Sequence, residues 1–462
     1  MRLADARRVV VVDLGFGDAG KGTVTDSLVR RMKASAVVRF NGGAQAGHTV
    51  VRGDGSHHTF AQLGAGTFVP GVRTFLSRHV VLHPTALLVE AEHLARLGVA
   101  DAMDRLHVSE ACLVTTPVHQ AAICVRELAR GASRHGSCGV GVGETVRDSL
   151  RAPDDALRAR DLRDERALVT RLRRQQEEKR EELREELRHL PDDPLARQEL
   201  AMLTDADVLL PWAARAASLA RHGVLDEGDE AIHALLASSD PVVFEGAQGV
   251  LLDEWVGFHP YTTWSTCTWS NAEELLREHG DESHAYRLGV LRAYATRHGA
   301  GPFPTESPDV PPARTREHNV SGPWQGSFRT GWLDAVLTRY ALAAAGPADG
   351  LALTHLDRVP TDRPFRIATE HDVGPSPDPT LFSLAPSGRA RDLRVGPPRD
   401  LAHVEALGHA LSSTSAHPFY REVAPSAARM EASVLSAIEQ ELDAHVVLTS
   451  SGPTAADKRA RE

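Results

Sequence analysis

The sequence predicts an α/β fold: a large, mainly parallel central sheet with a P-loop-like phosphate loop, and with helical and loop-rich elaborations. The first observation is a buried strand at residues 8–14, RVVVVDL, which stops at a glycine. The second is the adjoining segment, which holds a glycine-rich loop, a helical stretch from about Val24 to Met32, and a second strand at Ala36 to Phe40. Strand, loop, helix and strand in this order open a parallel α/β sheet.

Short apolar runs later in the chain predict further strands of this sheet. They lie at Pro241 to Phe244, Gly350 to Leu353 and His445 to Leu448. After the last of them, TAADKRARE at residues 454–462 is short, polar and terminal, which predicts a disordered tail.

The most polar segment, residues 162–200, predicts a charged helical elaboration. It contains RRQQEEKREELREELRHL, in which leucines recur at helical spacing and opposite charges lie three and four residues apart. This pattern is typical of a long solvent-facing helix, and Pro191 and Pro194 are expected to end it.

Composition and charge narrow the class of protein. With 462 residues and 42% hydrophobic residues, the chain has enough apolar surface for a large core, which excludes a disordered or fibrous protein. The net charge is 52 minus 62, or −10, which argues against binding to nucleic acid. The four cysteines form no CxxC pair, which indicates a protein of a reducing compartment. No stretch of the sequence approaches the ~20 apolar residues that a membrane span needs. We therefore expect a cytoplasmic protein that does not bind membranes.

The loop after the first strand, GFGDAGKGT, has the spacing of a phosphate-binding loop. From Gly15 to Lys21 it reads GxxxxGK, but Gly22 stands where Ser or Thr is usual. Glycines let backbone N–H groups approach phosphate oxygens, and Lys21, one of only four lysines in the chain, adds positive charge. A glycine turn that merely joins strand to helix is the alternative. Phosphate binding alone does not explain the carboxylate of Asp18 in this loop, because phosphate repels a carboxylate unless a divalent cation or a proton transfer is involved.

Several motifs in a fixed order resemble the adenylosuccinate synthetase family. GDAGKG is followed by VVRFNGGAQAGHTVV at residues 37–51, where the family has a GDEGKGK loop and a GGxNAGHT segment. Further matches, in the family's order, are VVFEGAQGVLLD at 242–253, ATRHGAGPFPTE at 295–306, FRTGWLD at 328–334, LTHLD at 353–357 and SSGP at 450–453. The resemblance implies a single adenylosuccinate-synthetase-like α/β domain over residues 1–453, and a homodimer.

The resemblance also implies a ligase that uses GTP and Mg²⁺. In the family, GTP phosphorylates the 6-oxygen of IMP, and the amino group of aspartate then displaces that phosphate. The catalytic residues implied are Asp18, the base that removes the N1 proton, His48, a donor to the phosphate region, and Gln248, a partner of the purine. The metal ligands implied are Asp18 and the carbonyl of Gly47.

The same matching assigns the binding residues, so that the expected partners are small-molecule nucleotides and an amino acid. The GTP phosphates are assigned Gly17, Gly20, Lys21, Gly22 and Thr23. Guanine is assigned His355, Asp357, Ser450 and Gly452. The purine nucleotide substrate is assigned Gln45, Ser137, Cys138, Arg151, Leu252, Thr263 and His298. The amino-acid loop is assigned Gln325 and Arg329.

The chain departs from the family's pattern where the substrates are expected to bind. The replacements are Ala19 for the loop glutamate, Thr23 and His355 for lysines, Gln45 for an asparagine, Cys138 for a threonine and Val140 for an arginine. Where the family has an arginine-rich run, GPWQGSFRTGW at residues 322–332 keeps only Arg329 among its arginines. This matters because the second carboxylate of aspartate normally requires a guanidinium.

Two alternatives therefore stay open. One is a related ligase that acts on a 2-aminopurine nucleotide such as dGMP or that uses a different amine. The other is a non-catalytic nucleotide-binding regulator, against which the retention of all three catalytic residues argues.

Overall fold

The computed structural model describes residues 1–281, 284–310, 324–412, 416–426 and 429–461; residues 322–323 of the amino-acid loop and Glu462 of the expected tail lie outside these ranges. The strands are β1 Arg8–Asp13, β2 Ala36–Arg39, β3 His48–Val51, β4 His57–Phe60, β5 Arg73–Leu76, β6 Val81–Leu82, β7 Leu106–Ser109, β8 Leu113–Val114, β9 Leu225–Asp226, β10 Val242–Glu245, β11 Tyr286–Arg292, β12 Ala295–His298, β13 Phe328–Gly331, β14 Leu333–Asp334, β15 Gly350–Thr354, β16 Phe365–Asp372, β17 Phe382–Leu384, β18 Ala390–Leu393, β19 His417–Val423, β20 Val446–Ser450 and β21 Lys458–Ala460. The helices are α1 Lys21–Met32, α2 Pro84–Arg96, α3 Pro117–Arg130, α4 Val142–Arg151, α5 Glu165–Glu182, α6 Arg184–Arg188, α7 Pro194–Thr204, α8 Leu209–Arg221, α9 Glu230–Ala237, α10 Ser270–Glu278, α11 Ala335–Ala345, α12 Leu401–Ala410 and α13 Met430–Leu442.

A ten-stranded sheet forms the centre of the fold, in the order β21-β20-β15-β11-β1-β10-β2-β5-β7-β9. Every neighbouring pair is parallel except β20 and β21, which are antiparallel. The predicted α/β fold with a large, mainly parallel sheet is confirmed. A smaller sheet of β14, β16, β17, β18 and β19 packs beside it as an elaboration.

The central strand β1 shows why the sheet lies inside the molecule. All of its residues are buried, and alternate side chains enter the cores on opposite faces, with Val10 and Val12 on one face and Val9 and Val11 on the other. A strand that is buried on both faces needs a continuous apolar run, which is what RVVVVD supplies. The adjoining α1 and β2 confirm the predicted strand, loop, helix and strand.

The charged segment is not one long solvent-facing helix, as its sequence suggested. It divides into α5, α6 and α7, and Pro194 begins α7 instead of ending a helix. Leu168 and Leu172 are buried against neighbouring helices, and the ammonium group of Lys179 is buried in ion pairs with Glu144 at 2.9 Å and with Asp148. The apolar and cationic side of the segment therefore packs on the protein, and only the opposite side faces solvent.

The expected disordered tail is also wrong. Residues Ala455–Asp457 form a 3₁₀ turn, and Lys458–Ala460 form β21, which pairs with β20 through Ser450 and Lys458, Thr449 and Arg459, and Leu448 and Ala460. Backbone pairing with an edge strand orders a segment whose side chains are too polar to predict a strand.

No helix within the described ranges combines the length and the apolar character that crossing a bilayer requires.

Candidate active site

A cleft with a volume of about 610 Å³ opens at the carboxyl ends of the central strands. This is the edge at which open α/β sheets bind ligands. The sequence-predicted residues that line it are Gly17, Asp18, Gln45, Gly47, His48, Ser137, Cys138, Gln248, Leu252, Thr263, His298 and Gln325. The fold therefore brings together residues from seven separate stretches of the chain.

Asp13, the last residue of β1, fixes the phosphate loop through hydrogen bonds. The carboxylate of Asp13 accepts hydrogen bonds from the backbone N–H groups of Gly15 and Ala19, each at 2.8 Å. The ammonium group of Lys21 lies 3.1 Å from the same carboxylate and donates to the carbonyl of Gly17 at 2.6 Å. Both members of this ion pair are buried. Lys21 thus faces Asp13 in this structure and fixes the shape of the loop.

The close approach of β3 explains the glycine at position 22. A Cβ atom on Gly22 would lie 2.8 Å from Cβ of His48 and 2.9 Å from its carbonyl carbon. Ser or Thr, the usual residue of a phosphate loop at this position, would push His48 away from the first turn of α1. The departure from the P-loop pattern therefore sets the distance between His48 and the phosphate loop.

Glu245, the last residue of β10, orients His48. Oε1 of Glu245 lies 2.7 Å from Nδ1 of His48, and its other oxygen accepts from the backbone N–H of Ala65 at 2.9 Å. Burial lowers the pKa of His48 to about 4, although the charge of Glu245 acts in the opposite direction. Burial alone would raise the pKa of Glu245, but its pairing with His48 brings that pKa below its usual range. At neutral pH the His48 ring is neutral, with its proton on Nδ1 and its Nε2 edge toward the cleft.

Asp18, in the middle of the phosphate loop, lines the cleft. Its Oδ2 is 3.4 Å from Nε2 of His298, and its backbone carbonyl accepts from Arg292 at 3.1 Å. Loss of hydration raises the pKa of Asp18, opposed by the positive charges of His298, Arg292 and Lys21. A carboxylate with a raised pKa is a stronger base, which suits it to remove a proton from a substrate.

The amide side chains of the cleft are held ready for a polar ligand. Gln248 has a left-handed backbone conformation, with φ of 54°. Among the residues that the structure describes, the buried atoms without a hydrogen-bond partner in the protein include Oε1 of Gln248, both amide atoms of Gln45 and Nδ1 of His298. Buried polar atoms in native proteins are nearly always paired, so these atoms are available to hydrogen-bond a polar ligand in the cleft.

The cleft also fits a divalent cation of the kind that nucleotides carry. No cluster of three or more His, Cys, Asp or Glu side chains suited to a metal occurs within the described ranges. Mg²⁺ in such sites takes one or two protein oxygens and obtains its remaining ligands from phosphates and water. The carboxylate of Asp18 and the backbone of Gly47 line the same cleft, which meets that limited requirement.

The residues expected to bind guanine lie on the other side of the phosphate loop, where β15 and β20 end. His355 follows β15 directly, and burial, together with the neighbouring positive charge of Arg292, keeps its pKa well below the usual range. Asp357 is exposed in the next turn, and Ser450 ends β20. The hydroxyl of Thr23 donates to the carbonyl of Pro453 at 2.8 Å, which joins this region to α1.

Arg151, expected to bind the purine nucleotide, and Arg329 of the amino-acid loop also stand apart from the cleft. Arg151 is half exposed at the end of α4 and pairs with Glu182 at 3.3 Å, so it does not reach the cleft of its own chain. The guanidinium of Arg329 donates to Glu306 at 2.5 Å and to the carbonyls of Gly299 and Gly301, each at 3.0 Å. The only arginine retained in the amino-acid loop is therefore already engaged with the protein.

Sequence reasoning missed Asp13 and Glu245 as site residues. Each is a carboxylate that ends a buried apolar strand, and that position is the only indication the sequence offered. It also missed Arg297, whose guanidinium is buried, lies 4.2 Å from the ring centre of Phe16 and donates to the carbonyls of Ala300 and Pro302. Burial and the neighbouring Arg329 lower the pKa of Arg297 to about 9.

Comparisons with known proteins agree with this geometry. The family model described as adenylosuccinate synthetase matches residues 10–458. An adenylosuccinate synthetase of Marinomonas sp. strain MWYL1 is 32% identical over 451 residues, which are 97% of this chain and 96% of the relative.

Two solved structures share the fold. The fully ligated adenylosuccinate synthetase of Plasmodium falciparum superposes with a TM-score of 0.78 at 20% identity, covering 99% of this chain and 100% of that one. The succinoaminodeoxyadenylate synthetase of cyanophage S-2L, bound to dGMP and to dATP as an energy donor, has a TM-score of 0.57 at 18% identity, covering 98% and 94%.

Proposed function

We propose, from the premise that this chain belongs to the adenylosuccinate synthetase family of C–N bond-forming ligases, that it joins aspartate to C6 of IMP in a GTP-dependent reaction. The observation that carries the proposal is the convergence of Asp18, the His48 and Glu245 pair, and Gln248 on one cleft beside the phosphate loop. A protein that only binds nucleotides does not need a base at the reacting edge of the purine.

Asp18 acts first, as the base. Removal of the N1 proton of the purine by Asp18 moves negative charge onto the 6-oxygen, which then attacks the γ-phosphorus of GTP while the bridging oxygen leaves with GDP. Gln248, whose Oε1 has no hydrogen-bond partner among the described residues, holds the purine at this edge. The raised pKa of Asp18 favours proton transfer from a weakly acidic N–H.

His48 acts on the charge that moves during phosphoryl transfer. Its Nε2 edge faces the phosphate side of the cleft, and the carboxylate of Glu245 lies behind the ring. When phosphates enter, their negative charge favours protonation of Nε2, and the resulting imidazolium is shared between Glu245 and the phosphoryl oxygens. The amino group of the amino acid then attacks C6, loses a proton to solvent, and expels the 6-oxygen as phosphate.

Mg²⁺ is the proposed cofactor, held by Asp18 and the carbonyl of Gly47. When bound, it neutralises charge on the phosphates. The proposed donor is GTP, with its phosphates over Gly17, Gly20, Lys21 and Gly22 and its base beside Asp357, whose two oxygens can accept from the N1–H and 2-amino groups of guanine.

The engagement of Arg329 favours a second candidate, a related ligase that uses a different amine. Arg329 is paired with Glu306, and the residues before it, Gly326, Ser327 and Phe328, carry no positive charge. The described part of the loop therefore offers no free guanidinium to the side-chain carboxylate of aspartate. A 2-aminopurine nucleotide such as dGMP is a substrate variant of the same kind, and the cyanophage structure was solved with dGMP bound.

A substrate matrix tests the proposal. IMP and dGMP are each combined with GTP or ATP and with aspartate or amines that lack its side-chain carboxylate, and phosphate release and product mass are recorded with Mg²⁺ present. Turnover with IMP, GTP and aspartate, absent in Asp18→Asn, is the expected result. Turnover that appears only with dGMP or only with another amine would replace it with the second candidate.

A cytoplasmic homodimer completes the proposal. Arg151 is exposed outside the cleft of its own chain, at the end of a helix whose beginning lines that cleft. In a dimer it would supply a cation to the nucleotide of the partner subunit. Light scattering with size exclusion should give a mass near twice the 49.9 kDa of one chain, and Arg151→Ala should raise the KM for IMP without changing that mass.

A further inference from the structure

Lys458 is a buried lysine that the reaction described above does not use. It lies in β21, only 2% of its surface is exposed, and it is one of four lysines in the chain. Its ammonium group donates to the carbonyl of Gly452 at 2.9 Å and to that of Thr454 at 2.8 Å. Burial lowers the pKa of Lys458 to about 8, although Asp457, Asp26 and Asp357 act in the opposite direction. Burying a charged lysine costs free energy, so the buried position of Lys458 needs a structural explanation.

Both carbonyls belong to the loop that carries the residues expected to bind guanine. The hydroxyl of Ser450 donates to the same Gly452 carbonyl at 3.2 Å. The carboxylate of Asp457 accepts from the backbone N–H of Thr454 at 2.8 Å and from its hydroxyl at 2.7 Å. A Cβ atom on Gly452 would lie 2.6 Å from Cγ of Asp457, so the turn is closed too tightly for any other residue. Lys458 and Asp457 thus fix one rigid loop.

Two other elements border this loop. The negative charges of Asp26 in α1 and of Asp357 in the turn Leu356–Arg358 after β15 act on the ammonium group, and the guanidinium of Arg31 in α1 donates to the backbone carbonyl of Lys458. The loop itself contacts α1 through the hydroxyl of Thr23 and the carbonyl of Pro453. Lys458 therefore lies where three elements meet: helix α1, which follows the phosphate loop, the turn Leu356–Arg358, and the 450–453 loop.

We infer that Lys458 is a positioning residue of the donor-nucleotide site, which holds the 450–453 loop closed around the guanine base of a nucleoside triphosphate. It acts through the carbonyls of Gly452 and Thr454 and does not touch the nucleotide. At position 355 the chain carries His355 where the family has a lysine, and Lys458 in β21 adds its positive charge to those of Arg292 and Arg358 around that residue. The inference rests on the proposed function, because that function supplies the guanine nucleotide.

Calorimetric titration separates positioning from a general loss of structure. GDP, ADP and IMP are each titrated into the wild-type protein and into Lys458→Met, Lys458→Arg and Lys33→Met. The last is the matched control, because Lys33 is an exposed lysine at the end of α1. We expect Lys458→Met to weaken GDP binding about 10-fold to 100-fold, the effect of losing two charge-assisted hydrogen bonds. IMP binding should change less than about 2-fold, Lys458→Arg should restore part of the GDP affinity, and Lys33→Met should match the wild type.

The possible failures are distinguishable. If the wild type binds GDP and Lys458→Met binds it equally well, or if GDP and IMP weaken together in that variant, the inference about Lys458 is wrong and the proposed function stands. If the wild type binds neither GDP nor ADP, the donor assignment and the inference are both wrong. Should Lys458→Met fail to fold, Thr454→Val removes the hydroxyl that donates to Asp457 in the same loop without leaving a buried charge, and it must lower GDP affinity more than IMP affinity.

Discussion

The carboxylate of Glu245 lies 2.7 Å from Nδ1 of His48, and both side chains are buried at the wall of the cleft. This contact fixes the proton on Nδ1 and turns Nε2 toward the phosphate side. It also places a negative charge behind the ring, where it stabilises the imidazolium form once an anion enters the cleft. In the proposed mechanism, the pair lets His48 be neutral in the free protein and protonated once phosphates are bound.

We predict that Glu245→Gln lowers kcat by at least about 10²-fold with little change in the KM for IMP, because the orienting carboxylate is lost while the amide of Gln can still accept from Ala65. Steady-state kinetics with each substrate varied in turn measures this. Glu90→Gln is the control, since Glu90 is a buried carboxylate that also accepts backbone N–H groups but lies in another part of the molecule. A larger fall in Glu90→Gln than in Glu245→Gln would contradict the assignment.

Binding of the triphosphate should be accompanied by proton uptake. With a pKa of about 4 in the free protein, His48 is neutral at pH 7, and bound phosphate raises that pKa. Because protons are taken up on binding, nucleotide affinity should fall as pH rises, by up to about tenfold per pH unit. Calorimetry in buffers of different ionisation enthalpy measures the proton count, which should approach zero in His48→Ala. An unchanged proton count in His48→Ala would show that a group other than His48 takes up the proton.

Asp18→Asn should lower kcat by about 10²-fold to 10⁴-fold, the usual contribution of a general base, while the melting temperature stays near that of the wild type. In the wild type, kcat/KM should fall as pH drops through the raised pKa of Asp18, since only the carboxylate can accept a proton. Catalytic activity that is unchanged in Asp18→Asn would show that Asp18 is not the base.

Asp13→Ala should destabilise the protein by about 3–5 kcal/mol, because it leaves the ammonium group of Lys21 buried without its partner. The double variant Asp13→Leu with Lys21→Met removes both charges and should recover part of that loss, although the backbone N–H groups of Gly15 and Ala19 still lack their acceptor. Urea denaturation measures both. If Asp13→Ala lowers the free energy of unfolding by less than about 1 kcal/mol, the ammonium group of Lys21 must find another partner.

Much of this fold could be predicted from the sequence because the relevant pattern is local. The strand expected at residues 36–40 occurs as Ala36–Arg39, and the one expected at residues 350–353 occurs as Gly350–Thr354. Each is a short apolar run that stops at a polar or turn residue, and the ends of parallel strands meet at one edge. The motifs that follow those strands therefore lie at one edge of the sheet.

The features that could not be predicted depend on contacts between distant residues. Nothing local indicates that Lys21 faces Asp13, since burial of a lysine depends on the loop that folds over it. The sequence around Leu183 has no proline or glycine, yet α5 ends there, and β21 consists of polar residues that only backbone pairing with β20 turns into a strand. Such features arise from tertiary packing, which a single sequence does not display.

The proposed mechanism depends on transfer of a phosphoryl group to the 6-oxygen of the purine before the amine attacks, and isotope transfer tests this order of steps. IMP labelled with ¹⁸O at C6 is incubated with the protein, GTP, Mg²⁺ and aspartate, and the released phosphate is analysed by mass spectrometry. We predict one ¹⁸O atom in each phosphate released and none in the product. Unlabelled phosphate released together with a C6-aminated product would show that the 6-oxygen is never phosphorylated.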